Sequence, residues 1–268
     1  MTYIVDRADI VVAADISDGT FTFNNRNYSV IHKFGRNVAV STSFEPVSVG
    51  GIYQMPQVAA ATALRVKAGN TNDTALGSGA RSITIQGLDE TGALVSEDLP
   101  TAGVAAGADS TNTYIRLFRA YISTAGTVST VAGGAQAADI VIENAAGSAD
   151  WLTISSTDLD RGQSQVACYT VPLGKTGYIQ TYDASVDIKA AKPVSLLLMQ
   201  RRNILESAAP YSALRTVEEF DGIEAEMSRI RDVPLGPFPA LTDLIWFAKA
   251  AATSGVSINF TIMLADAL

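Results

Sequence analysis

Three groups of side chains in this sequence have the types and spacing to do chemistry. Residues 32–37, HKFGRN, set the only histidine, His32, beside Lys33 and Arg36, a combination that could grip an anion or a carboxylate. Asn70, Asn72 and Asp73 offer oxygen ligands at close intervals in one loop, as calcium prefers. Glu218, Glu219, Asp221, Glu224 and Glu226 crowd one short stretch. Two carboxylates facing each other across a cleft, one with a raised pKa, are what glycoside hydrolysis needs.

Each group also has a simpler structural reading, and that reading is preferred. HKFGRN reads as a turn with an ion pair between subunits. Polar loops like residues 70–73 usually cap turns. The acids at 218–226 sit around a tight turn, where a solvated, charged edge discourages sheet-to-sheet aggregation. Asp158 and Asp160 flank Leu159, with Arg161 adjacent, and read as an ion pair or an N-cap. Cys168 is the only cysteine, so one chain can build neither a disulfide nor a thiolate metal site. It lies in QVACYTV, residues 165–171, as a small buried residue. A nucleophilic role would need a nearby base, and His32 is far away in sequence. There is no P-loop, G-x-G-x-x-G, G-x-S-x-G or paired-histidine motif. The expectation is no catalytic, cofactor-binding or metal-binding residues, and no enzyme.

Composition points the same way. Hydrophobic residues make up 47% of the 268 positions and charged residues only 17%, a low charge density that suits repeated protein–protein contact. A net charge of −8 argues against nucleic-acid binding, which needs a basic face. Arg201-Arg202 and the Arg229–Arg231 spacing are too small a basic patch, and read as partners of Glu206, Glu218 and Glu219. Residues 1–12, MTYIVDRADIVV, carry early acids and no long apolar core, unlike a signal peptide, and no apolar run reaches membrane-spanning length. A soluble homo-oligomer made in a reducing cytoplasm is expected.

The elements that must position these residues are nearly all strands. In residues 80–99, ARSITIQGLDETGALVSEDL, Ile83 and Ile85 alternate with Ser82, Thr84 and Gln86, and 89–92 reverses the chain into a hairpin. Residues 10–12 and 20–30 flank a turn signal at 17–19, with a second turn at Asn24-Asn25. Residues 113–123 put Ile115 and Leu117 on one side and Tyr114, Arg116 and Phe118 on the other. Residues 139–143 pair with 151–155. A boundary near 157 separates an N-terminal β-rich domain, 1–157, from a C-terminal sandwich, 158–268. In the latter, 194–199 reads as a strand covered on both faces, 214–220 and 223–230 as a hairpin about Asp221-Gly222, and 256–264 as the cleanest alternation in the chain. Short helices are expected at 57–66 and 200–206. The fold class is therefore all-β, with two antiparallel sandwich or jelly-roll-like domains and few short helices.

HKFGRN (32–37), GGIYQMP (50–56) and NDTALGSGARSITIQGLDETGALVSEDL (72–99) resemble, in that order, a family of tailed-bacteriophage virion structural proteins. GQSQVACYTVPLGKTGYI (162–179) and LTDLIWFAKAAA (241–252) are similar to its C-terminal half. The resemblance starts at about residue 32 and lies in framework strands and turns. It implies a virion component, and the leading expectation is a capsid decoration or cement protein, a homotrimer seated on the major capsid protein. The alternative is a tail fibre, adaptor or receptor-binding part, with Tyr178, Tyr182 and Trp246 as candidate sugar platforms, although alternation places Trp246 in the core. Partners are then other copies of the chain and capsid or tail proteins, with no nucleic acid and no membrane. Residues 8–14 read as a strand that needs a sheet to join, within the chain or on a neighbouring subunit.

Overall fold

The structure is a computed structural model that describes residues 19, 21–128, 135–157, 162–187 and 193–267. Asp158, Asp160, Arg161 and the strand expected at 10–12 lie outside the described residues, as does the 8–14 arm. What is described is all-β. In chain order the strands are β1 (Thr22–Phe23), β2 (Arg26–Val40), β3 (Glu45–Pro46), β4 (Thr62–Ala68), β5 (Ala80–Leu88), β6 (Leu94–Pro100), β7 (Thr113–Tyr114), β8 (Arg116–Ala125) and β9 (Ile140–Asn144). They continue as β10 (Asp150–Ile154), β11 (Cys168–Thr170), β12 (Lys175–Val186), β13 (Val194–Arg201), β14 (Arg215–Ile223), β15 (Glu226–Phe238), β16 (Asp243–Ala250) and β17 (Ser254–Asp266).

Four antiparallel sheets result. Two are ordered β6-β5-β8 and β10-β9-β4-β7; the others are β1-β2-β17-β12-β15 and β11-β16-β13-β14, with β3 added to β16. The expected hairpins at 80–99 and 139–155 form, the second with a break in register between Asp150 and Leu152. Asp89 organises the first: its Oδ1 accepts the Thr91 and Ala93 backbone amides at 2.8 and 3.0 Å, and Gly92 adopts φ 79°. The turn at Asn24-Asn25 also forms, both residues taking positive φ, the conformation a two-residue hairpin requires. In β17, Val256, Ile258, Phe260, Ile262 and Leu264 all face the core, as their alternation predicts.

The sheets enclose two cores. One gathers Tyr182 and Ile179 of β12, Leu196 and Leu198 of β13, Trp246 of β16 and the inward side chains of β17. The other gathers Leu64 and Val66 of β4, Ile83 and Ile85 of β5, and Ile140 and Ile142 of β9. Sheet β11-β16-β13-β14 touches both: Trp246 faces the first core, while Cys168 and Ile245 face the second. Strand β8 does the same, with Phe118 in the first and Leu117 in the second. This is why residues 114–118 are buried without alternation. The cores are not consecutive stretches of chain, because β2 pairs along β17 from Tyr28 to Val40 and β3 pairs with β16.

Several expectations are corrected. The helix expected at 57–66 is a 3-10 turn, Val58–Ala60, followed by β4; Leu64, Val66 and Ala68 are buried at every second position, so burial with period two overrides helix propensity. Residues 200–206 complete β13 and then turn. HKFGRN is not a turn but the middle of β2, with Lys33, Gly35 and Asn37 buried on one face. Strand β13 is covered on one face only, alternating buried and half-buried. No hairpin forms about Asp221-Gly222: β14 runs through it and pairs with β13, and β15 pairs with β12 in the other sheet. The chain crosses between sheets at residues 224–225, because Phe220 and Met227 pack on the same core from two sides.

Gly35 shows how tightly the two halves are joined. Val166 donates its amide to the Phe34 carbonyl and Ala167 donates to Val47, both at 2.9 Å. A Cβ on Gly35 would stand 2.1 Å from the Ala167 nitrogen and 2.3 Å from the Val47 oxygen, and backbone cannot swing aside as a flexible side chain can. Gly35→Ala is expected to cost about 1–3 kcal/mol, the range of overpacking, measured as a lower urea midpoint with an unchanged slope.

Candidate functional site

The groups expected to do chemistry have separate fates. Asp73 is fully buried. Its carboxylate accepts backbone amides from Ala80 at 2.9 Å, Ala137 at 3.0 and 3.1 Å, and Ala138 at 3.3 Å. Asn70 Oδ1 accepts the Asn72 amide at 2.9 Å. These oxygens tie the 70–80 loop to residues 137–138 and are turned to protein donors. Among the described residues no three His, Cys, Asp or Glu side chains are grouped to hold a metal.

Of the five acids at 218–226, Glu218 alone packs inward; Glu219, Asp221, Glu224 and Glu226 are exposed. Glu218, on β14, meets Arg231 of β15, accepts a hydrogen bond from the Tyr182 hydroxyl, and lies 4.0 Å from Arg229. That arrangement clamps the edges of two sheets and leaves no second carboxylate facing it. Glu206 instead accepts the Ser212 amide at 2.6 Å and its hydroxyl at 2.7 Å, and these bonds hold its pKa below the usual carboxylate range. Arg201 donates to Gln57 at 3.1 Å and Arg202 to Gln200 at 3.5 Å; neither makes a direct ion-pair contact among the described residues, although the Arg201 charge also helps to hold the Glu206 pKa down.

The candidate sugar platforms are mostly core. Tyr182 and Trp246 are fully buried with ring centroids 5.2 Å apart, and Phe220 stacks on Trp246 at 6.5 Å. Cys168 is buried in β11 and burial pushes its thiol pKa up, which disfavours the thiolate that nucleophilic chemistry requires.

HKFGRN finds a setting that its spacing alone does not reveal. A cavity of ≈ 630 Å³ lies between β2, β6 and β8, and residues 30–34 of β2 form one wall. Leu94 and Val95 of β6, Phe118 of β8 and Tyr169 of β11 supply apolar surface, while Lys33 and Arg119 are the basic side chains and His32 adds an imidazole. Lys33 is buried and donates from Nζ to the Phe118 carbonyl, its ammonium 5.6 Å from the Phe118 ring. Phe118 is the residue skipped where the β5–β8 register jumps from Gln86↔Arg119 to Gly87↔Leu117. Burial pulls the Lys33 pKa down to about 7; Cys168 opposes the shift and Arg119 adds to it. Arg119 lies over the Tyr121 ring at 4.9 Å and reaches Gln163 at 3.4 Å. His32, exposed, has Nδ1 3.2 Å from Thr261 Oγ1. Tyr169 packs against Phe118 at 4.9 Å, and its buried hydroxyl has no partner among the described residues.

Arg119 and Tyr169 were not foreseen as companions of Lys33. The signal available was weak: Arg119 follows Phe118 in an aromatic and basic strand, and Tyr169 follows the lone cysteine. Only pairing of β2 with β17 and of β8 with β5 brings them around one space.

No family model matches the chain, and no curated protein is similar to it. One solved structure, that of the Yersinia pseudotuberculosis-derived mitogen, is 14% identical over 35% of this chain and 83% of its own, with a TM-score of 0.20. No helix among the described residues is long and apolar enough to cross a membrane.

Proposed function

We propose that this chain is a non-enzymatic structural component of a tailed-phage virion, a capsid decoration or cement protein that works through protein–protein contacts. The observation that carries the proposal is a pair of strands that are terminal in their sheets among the described residues and lie side by side. Strands β14 and β15 are each terminal in their sheets, and the Glu218–Arg231 contact sets them side by side. On β15, Ile230 and Val233 are 80% and 79% exposed. Between the pairs Ile179↔Leu235 and Thr181↔Ile230, residues 231–234 oppose Gln180 alone, so the strand bulges outward. The bulge blunts strand-to-strand pairing but presents Ile230 and Val233 as apolar contact surface for another chain.

The resemblance of residues 32–99, 162–179 and 241–252 to phage virion proteins supplies the setting. In this reading the two sheets around Trp246 form a jelly-roll-like sandwich, and the exposed apolar side chains of β15 join copies into a trimer on the major capsid protein. Many modest contacts then sum to firm retention, and the net charge of −8 limits adhesion to packaged DNA.

The test is the copy number of the chain per purified particle, with native protein and with Ile230→Lys/Val233→Lys. A count comparable to the capsid protein, with the variant folded but monomeric and depleted from particles, is the expected result. A count of about a dozen, as tail symmetry would give, would reassign the protein to the tail. Full occupancy by the variant would remove the β15 edge from assembly.

A further inference from the structure

We propose that the cavity between β2, β6 and β8 is a binding site for a small monoanion with an apolar body, of the class of an aliphatic carboxylate. The proposal is independent of the virion reading. At ≈ 630 Å³ the cavity lies within the range of small-molecule sites, about 300–1,000 Å³. Its lining combines apolar surface from Ile31, Leu94, Val95 and Phe118 with Lys33 and Arg119, and it contains no aspartate or glutamate. In a chain with net charge −8, two basic side chains in a carboxylate-free pocket are a local reversal of character, and a bound anion would favour the charged form of Lys33.

No carboxylate among the described residues pairs with Lys33 or Arg119. A buried ammonium held only by a carbonyl and a ring face is poorly compensated. Tyr169 adds an independent observation: its side chain lines the same space and its buried hydroxyl has no partner among the described residues, and buried polar groups are rarely left so. A carboxylate in this space would give Lys33 a counter-charge and Tyr169 an acceptor, while its apolar body lies along Leu94, Val95 and Phe118. Arg119, at the exposed side and held by Gln163 and the Tyr121 ring, adds positive potential to the same space.

The experiment is calorimetric titration of the full chain with decanoate below its micelle concentration, with 1-decanol as the uncharged counterpart. Decanoate is expected to bind at least tenfold more tightly than decanol. Lys33→Met should weaken it at least tenfold, and Arg119→Gln or Tyr169→Phe by about threefold to tenfold, the effect of losing one hydrogen bond or partial charge. Thermal midpoints of the variants, measured without ligand, confirm that each is folded. Tyr169→Phe removes only an unpartnered hydroxyl, so its loss of binding cannot be assigned to a lost internal contact. The proposal is overturned if decanoate does not bind at millimolar concentration, if decanol binds equally well, or if Lys33→Met binds decanoate as the native chain does.

Discussion

Asp243→Asn is expected to destabilise the fold by about 3–5 kcal/mol, the cost of leaving one member of a buried ion pair without its counter-charge. Arg116 and Asp243 are both fully buried. Arg116 Nε and Nη2 donate to the two Asp243 carboxylate oxygens at 2.8 Å each. The Thr170 hydroxyl donates to Oδ1 at 2.6 Å, and Arg116 Nη1 donates to the Pro56 and Ile115 carbonyls at 2.9 and 2.6 Å. Asparagine keeps the shape and removes the charge, stranding the guanidinium where β8 meets β16. Replacing both partners with apolar residues, as in Arg116→Met/Asp243→Leu, should recover much of the loss, since the pair's desolvation cost offsets most of its attraction. Urea unfolding followed by tryptophan fluorescence measures this directly. A cost below about 1 kcal/mol for Asp243→Asn would show that water or rearrangement already relieves the buried charge.

Lys33→Met is expected to change the sign of its effect with pH. The folded-state pKa of Lys33 is about 7, against an ordinary 10.5. Between those values the unfolded chain holds a proton that the folded chain has released, so native stability rises with pH across that window. Below pH 7 Lys33 is charged in both states and the full burial penalty applies. At about 1.4 kcal/mol per pH unit that penalty approaches 5 kcal/mol. Methionine removes it but also deprives the Phe118 carbonyl of its donor, costing about 1–3 kcal/mol. The variant should therefore be more stable than native by about 2–4 kcal/mol at pH 6, and less stable by about 1 kcal/mol at pH 10. Arg119 and Cys168 act on the Lys33 charge, so their effect is part of the penalty that methionine removes; His32 and Tyr169 share its cavity and are present in both proteins. Parallel stability curves from pH 6 to 10 would exclude a discharged Lys33.

The two effects differ in how they could be read from sequence. Arg116 stands in TYIRLFRAYIS, where alternation assigns it to one face with Tyr114 and Phe118. In fact all three are buried, because the start of β8 runs between two cores, with Phe118 in one and Leu117 in the other. Asp243 begins β16 and offers no sign of its partner, 127 residues away. Lys33 sits in a polar, glycine-containing hexapeptide that reads locally as a turn. It is a strand because β17 lies along it, pairing Lys33 with Phe260.

What the sequence determined by itself is the strand content and its local pairings. Alternation is a property of one strand with one wet face, so β5, β6, β9, β10 and β17 were legible, as were the turns at Asn24-Asn25 and Asp89-Glu90-Thr91-Gly92. Tertiary structure decided everything that depends on which strands become neighbours. It sent β14 and β15 to different sheets despite the hairpin-like Asp221-Gly222. It drew β2 to the far end of the chain, and it built the cavity from Lys33, Arg119 and Tyr169. Period-two patterning records which face of a strand is buried but not against what. Long-range partner choice is set by the summed fit of whole sheets, and no window of neighbouring residues contains that sum.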